Sequence, residues 1–240
     1  MKIAVQLSGE PRFTAGFQSF LDNLTGYSHA DWFLYLVNNS NPDKGGVFIP
    51  ESWKKFELEW AIEKIKNNLP ANSYLQSLTI SDCHEKSWPT AKNLHCLIGD
   101  NPVPKLYNMH YNIFKANQLR INYQECNDIK YDFVIRVRPD CSLDKMIDVN
   151  DFKITENEII MPDNNWFGFE LVNDQFAIGK PSDMDIYSNL VSFIKEYNDN
   201  GVTFHPETIF AHHLRVNQIK TIRGGFECNI HRNPQLDKWC

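Results

Sequence analysis

No apolar run in this sequence is long enough to cross a bilayer as a helix. The first one, Ile3 to Leu7, is cut off by Ser8-Gly9-Glu10-Pro11, far short of a membrane span and too short for the core of a signal peptide. A cytoplasmic chain with no transmembrane segment is the expectation. Closely paired cysteines are missing too. Cys83, Cys96, Cys126, Cys141, Cys228 and Cys240 show no CxxC spacing, so reduced thiols are expected in that compartment. Cys83-His84 and His95-Cys96 come nearest to a zinc site and match no common zinc module. An excess of positive charge is also lacking: the formal net charge of -6 argues against general nucleic-acid binding, which relies on Lys and Arg to displace counterions, but leaves a mononucleotide open. No repeat, low-complexity tract or linker marks a boundary, so residues 1–240 read as one domain able to bury a substantial core.

What the sequence does contain is a short apolar strand with charge at its end. In Tyr131 to Asp140, YDFVIRVRPD, the residues Phe133, Val134, Ile135 and Val137 predict a central strand of a largely parallel sheet, with Pro139 ending it. Alternation puts Asp132, Val134, Arg136, Arg138 and Asp140 on one face. Ligands of open α/β sheets lie beyond the carboxyl ends of the strands, which is where Arg136, Arg138 and Asp140 gather. The alternative is an Arg and Asp pair that ties the strand end to a loop.

Around this strand the chain alternates strands and helices. Lys2 to Leu7 is an expected first strand. The turn Ser8 to Arg12 after it either hands a ligand to Gly9 and Arg12, or is an ordinary strand-to-helix connection. A helix from Gly16 to Leu24, a strand from Trp32 to Val37, a helix within Glu51 to Leu69 and a strand from Tyr74 to Ile80 follow. Ser81 to Pro104 reads as irregular, and Lys105 to Cys126 as the clearest helix. Later come strands at Ile159 to Met161 and Phe176 to Ile178, and a helix capped by Ser182 running to Tyr197. A further helix opens at His205-Pro206-Glu207, where Pro206 suits the first helical position and Glu207 the positive end of the dipole. Trp166, Phe167 and Phe169 in the loop Asp163 to Glu170 are either a platform for a sugar ring or a hydrophobic plug. His212 and His213 are adjacent, so they read as packing or surface residues and not as a metal pair.

The runs LYNMHYNIFKANQL, YDFVIRVRPD, NDQFAIG and HPETIF, with the opening AVQLSGEPR, resemble a group of glycosyltransferases with the GT-A fold from bacterial and large-virus glycan synthesis. The resemblance covers most of the chain except about Pro42 to Pro104. It implies an α/β, Rossmann-like domain with a mostly parallel sheet flanked by helices. The implied partners are a nucleoside-diphosphate sugar donor and a glycan or small hydroxyl acceptor, with polysaccharide biosynthesis as the setting. That fold carries a DXD motif holding Mn2+ or Mg2+ against the diphosphate. Laid on this chain, the second Asp matches Asp140 and the first falls on Arg138, a degenerate motif.

By the same resemblance Ser8, Gly9, Arg12, Arg136, Arg138 and Asp140 would bind the donor, and Asp140 and His231 the metal. Trp166, Phe167 and Asn173 would meet the acceptor, Asp174 would be the base, and Glu207 would assist at the acceptor. Asp140 and Asp174, at strand ends, are expected to matter little for stability. Two other classes remain open: a nucleotidyltransferase acting on sugar phosphates, and a catalytically silent carbohydrate-binding relative.

Overall fold

The computed structural model describes residues 1–9, 15–38, 62, 63, 65–82, 88–92, 102–164 and 172–230. Their frame is a seven-stranded sheet flanked by helices. It contains β1 (Lys2–Gly9), β3 (His29–Asn38), β4 (Ser73–Asp82), β5 (Phe133–Val137), β8 (Glu158–Met161), β9 (Phe176–Gly179) and β10 (Lys220–Arg223), in the order β10-β8-β9-β5-β1-β3-β4. Every neighbouring pair is parallel except the two made by β9. The architecture is therefore α/β and Rossmann-like, with one reversed strand beside the central pair β1 and β5. Short ribbons pair β2 (Leu24–Thr25) with β7 (Ile147–Asp148), and β6 (Cys141–Leu143) with β11 (Cys228–Ile230).

The helices are α1 (Ala15–Asn23), α2 (Pro102–Asn127), α3 (Pro181–Ser188), α4 (Ile194–Asp199) and α5 (Pro206–Val216), and residues 65–68 add a helical turn. Alternation along the strands splits the core into two layers. Ile3, Val5, Leu7, Ile135 and Val137 pack with Phe20 and Leu21 of α1 on one side. Ala4, Phe33, Val134 and Ala177 pack on the other with Leu106 and Ile113 of α2, Met184 and Tyr187 of α3, and Phe210 of α5. All five residues of β5 are buried, as a strand covered on both faces requires. Truncating Ile135 to Ala would cost about 2–5 kcal/mol.

Several expected boundaries move. β4 runs on to Asp82 and α2 starts at Pro102, so the stretch expected to be irregular is shorter. Ser182 is not a cap: Lys180 holds the N-cap without a side-chain hydrogen bond, and Pro181 fills the first helical position, which needs no N–H donor. The helix expected to reach Tyr197 breaks into α3, a 3-10 turn at Asn189–Ser192, and α4. β5 stops at Val137 and the chain turns through Pro139 and Asp140, so strand alternation does not carry Arg138 and Asp140 onto the face of Arg136. β6, β7 and β11 were not foreseen; runs of two or three residues leave no readable period. Most of the helix expected within Glu51 to Leu69 lies outside the described residues.

Candidate functional site

Strand direction brings the polar groups to one edge. β1 and β5 end there side by side. β9 runs against β5 with Phe176 opposite Val137, so the residues that enter β9, Asn173 to Gln175, arrive at the carboxyl end of β5. α5 leads into β10, which is parallel to β8, so its first turn, Pro206 and Glu207, reaches the same edge.

At this edge Arg138 clasps Asp140. Nε and Nη2 donate to the two carboxylate oxygens, each at 2.8 Å, with side chains 21% and 4% exposed. Burial alone would lower the pKa of Arg138; hydrogen bonding and charge from Asp140, with Cys141 and Asp174 behind, raise it above the ordinary arginine value. Asp140 is itself buried, which corrects the expectation that it matters little for the fold.

Arg136 is placed differently. Buried on the α2 and α3 side of the sheet, it donates from Nη1 to the backbone carbonyl of Asp174, which Tyr187 Oη also approaches at 3.5 Å. Its Nε has no hydrogen-bond partner among the described residues. Its charge, after burial, helps hold the nearby His110 imidazole neutral, with a pKa pushed down to about 3. Arg136 thus sets the backbone of the Asp174 turn, and Arg138 is the cation at the outer edge.

The carboxylate of Asp174 makes no hydrogen bond or ion pair with any described residue, although Asp174 is only 8% exposed. Beside it, Glu207 Oε2 lies 3.0 Å from His205 Nδ1. Burial first, and the charge of Asp174 second, raise the pKa of Glu207, while its own backbone N–H and His205 oppose the shift. Two carboxylates in one field, one unpaired and one inclined to keep its proton, can divide the taking and holding of a proton between them.

Asn173 is engaged within the protein. Its amide nitrogen donates to the carbonyl of Asn164 at 2.8 Å, and its Oδ1 accepts from the backbone N–H of Gln175 at 2.8 Å. These bonds make Asn173 a strut that ties Asn164 to the turn before β9. Ser8 Oγ is buried at the end of β1, with no hydrogen-bond partner among the described residues. Gly9 has φ +127°, a conformation open to glycine, and a Cβ there would sit 3.8 Å from Pro139 Cδ; the end of β1 thus lies against the Arg138-Pro139-Asp140 turn. Arg12, Trp166, Phe167 and His231 lie outside the described residues, as do Cys83, His84, His95 and Cys96.

Among the described residues, no three His, Cys, Asp or Glu side chains are grouped to hold a metal ion. In Arg138-Pro139-Asp140, where the resemblance would put a DXD motif, both Asp140 carboxylate oxygens are already on Arg138. This suits a cation arriving with phosphate oxygens of its own, and not one bound beforehand. No helix among the described residues is long and apolar enough to cross a membrane.

Three contributors escaped sequence reasoning. Tyr187 reads as one more core residue of a helix, and His110 sits among apolar neighbours on α2. Cys228, buried against Cys141, has its thiol pKa raised by that partner and by burial, and nothing in its local sequence signals the pairing. Compared with protein-family models and with curated proteins, the chain matches none.

Proposed function

We propose that this chain is a nucleotide-sugar-dependent glycosyltransferase of the GT-A type, acting through a single domain spanning residues 1–240. The observation that carries the reading is the carboxylate of Asp174, unpaired among the described residues, beside the Arg138 and Asp140 clasp at the carboxyl edge of the sheet. A carboxylate placed as base and a cation for a leaving diphosphate are the two groups that displacement at an anomeric carbon needs.

In this reading the donor diphosphate lies over the Gly9 backbone and the Arg138 to Asp140 turn. Arg138 shifts part of its hydrogen bonding from Asp140 to phosphate oxygens. Mn2+ or Mg2+, held by Asp140 together with the phosphates, would neutralise diphosphate charge. Asp174 accepts the proton of the acceptor hydroxyl as its oxygen bonds to the anomeric carbon. The bond from that carbon to the diphosphate oxygen breaks, and the electron pair leaves with the nucleoside diphosphate against Arg138. Glu207, oriented by its contact with His205, hydrogen-bonds the acceptor. Arg136 positions Asp174 through its carbonyl and does not touch substrate.

The Arg138 and Asp140 ion pair also favours a second reading, a carbohydrate-binding relative without turnover, because the position of the first DXD carboxylate is taken by its counter-ion. A thermal-shift screen of UDP, GDP, dTDP and CMP with and without Mn2+ tests donor binding, since a ligand of the native state raises the melting temperature. A shift with one nucleotide that disappears in Arg138→Ala supports the proposal. No shift with any of them, alongside a shift with simple sugars, supports the silent relative.

A further inference from the structure

Immediately after Asp140 the chain enters β6, whose antiparallel partner is β11. Register places Cys141 opposite Ile230 and Cys228 opposite Leu143, so the two cysteines lie on one face of the ribbon, diagonal to each other. Their sulfurs are 2.8 Å apart and both residues are fully buried. Non-bonded carbon atoms rest at roughly 3.5–4.0 Å, and sulfur is larger, so two thiols at this spacing are crowded. A bonded pair, at about 2.05 Å, is not. Leu143, Phe176 and Phe226 of the same core layer surround them, the Cys141 thiol also reaches the Gln175 carbonyl at 3.8 Å, and the charges of Arg136 and Arg138 act on Cys228.

We propose that Cys141 and Cys228 form a reversible disulfide that fastens the turn carrying Arg138 and Asp140 to β11. The closed loop would enclose β8, β9, Asp174 and Glu207, so one covalent bond would tie together both halves of the candidate site. Hydrogen peroxide serves as the oxidant. One thiolate attacks a peroxide oxygen, forming a sulfenic acid and releasing hydroxide. The second sulfur then attacks the sulfenic sulfur, the S–S bond forms and the hydroxyl leaves as water. In sum two thiols and one peroxide give a disulfide and two waters, with two electrons passing from sulfur to oxygen. The sulfurs are buried, so peroxide reaches them when the ribbon opens. That ribbon has only three residues on each strand, and short elements with few hydrogen bonds open locally at modest cost. The proposal rests on sulfur geometry and is independent of the glycosyltransferase reading.

The test uses the full chain, reduced, freed of reductant and treated with a small excess of hydrogen peroxide. Remaining thiols are alkylated under denaturing conditions, and the digest is mapped by mass spectrometry without reduction. The expected product is one linked peptide pair joining Cys141 to Cys228, two hydrogens lighter than the separate peptides and released by dithiothreitol. Cys126, which is exposed, should be recovered unlinked to either. The melting temperature should rise by roughly 5–10 °C on oxidation, because the cross-link restricts the unfolded chain over a long loop. In Cys228→Ser both the linked peptide and the oxidant-dependent shift should vanish; if that variant does not fold, the wild-type peptide map decides alone. Full alkylation of Cys141 and Cys228 after peroxide, or their linkage to other cysteines in a mixture, would overturn the proposal.

Discussion

Removing the Arg138 guanidinium should destabilise the protein more than removing the Asp140 charge, although the two form one ion pair. At 2.8 Å and an effective dielectric constant near 20, the gross attraction is about 332/(20 × 2.8), or roughly 6 kcal/mol. Desolvation of both partners offsets most of it, and what remains depends on what each mutation leaves behind. In Arg138→Ala the carboxylate, 4% exposed, loses two charge-assisted hydrogen bonds. In Asp140→Asn the arginine, 21% exposed, can turn toward water. The expected losses are about 2–4 kcal/mol for Arg138→Ala and about 1–2 kcal/mol for Asp140→Asn, with a coupling of about 1.5–3 kcal/mol from the double-mutant cycle. Urea denaturation supplies all four free energies, provided the slope is the same in each. A coupling below about 0.5 kcal/mol, or an Asp140 variant weaker than the Arg138 one, would refute the reasoning.

Asp174→Asn keeps size but removes the proton acceptor, so turnover should fall by about a hundredfold or more with donor affinity nearly intact, as read from kcat and nucleotide titration. Glu207 has its pKa raised in the folded state, so its contribution is fully present below the ordinary value of 4.5 and is lost as pH rises through the raised value; Glu207→Gln should flatten that part of a stability-versus-pH curve. Asp31 works in the opposite direction. Burial raises its pKa, but hydrogen bonds from Gln76, Tyr131 and His29 bring it below 3.8, so its stabilisation is present above 3.8 and lost as pH falls through the folded value, a loss that Asp31→Asn should abolish. Gly26→Ala should lower the melting temperature by several degrees, because φ is +84° and the new Cβ would lie 1.8 Å from Asp148 Oδ1.

The parts of the fold legible in the sequence were those with a sustained period. β1, β3, β5 and α2 carry apolar runs or a helical stripe long enough to read, and Pro206 marks the start of α5 because its chemistry suits one position. Position along the chain, with the rule that sites lie beyond strand ends, brought Arg138 and Asp140 to the sheet edge before their contacts were visible, while Asp174 and Glu207 entered only through the family resemblance. Which polar atom meets which could not be read. Asn173 looks like a ligand residue in a polar segment, and only its contacts with Asn164 and Gln175 reveal its amide as a strut. Arg136 and Arg138 look equivalent two residues apart, and the turn at Pro139 separates a buried positioning group from an outer clasp. The reversed strand β9 carries no distinguishing period, because alternation is the same in either direction.

The central claim, sugar transfer from a nucleotide donor with Asp174 as base, is tested most directly by incubating the protein with a panel of nucleoside-diphosphate sugars and mixed saccharide acceptors and following free nucleoside diphosphate and glycosylated product by mass spectrometry. The account predicts product from at least one donor with wild-type protein and a loss of about a hundredfold or more with Asp174→Asn, while that variant still binds the nucleotide. Equal product from the wild type and Asp174→Asn, or no product from any donor together with no nucleotide binding, would contradict it.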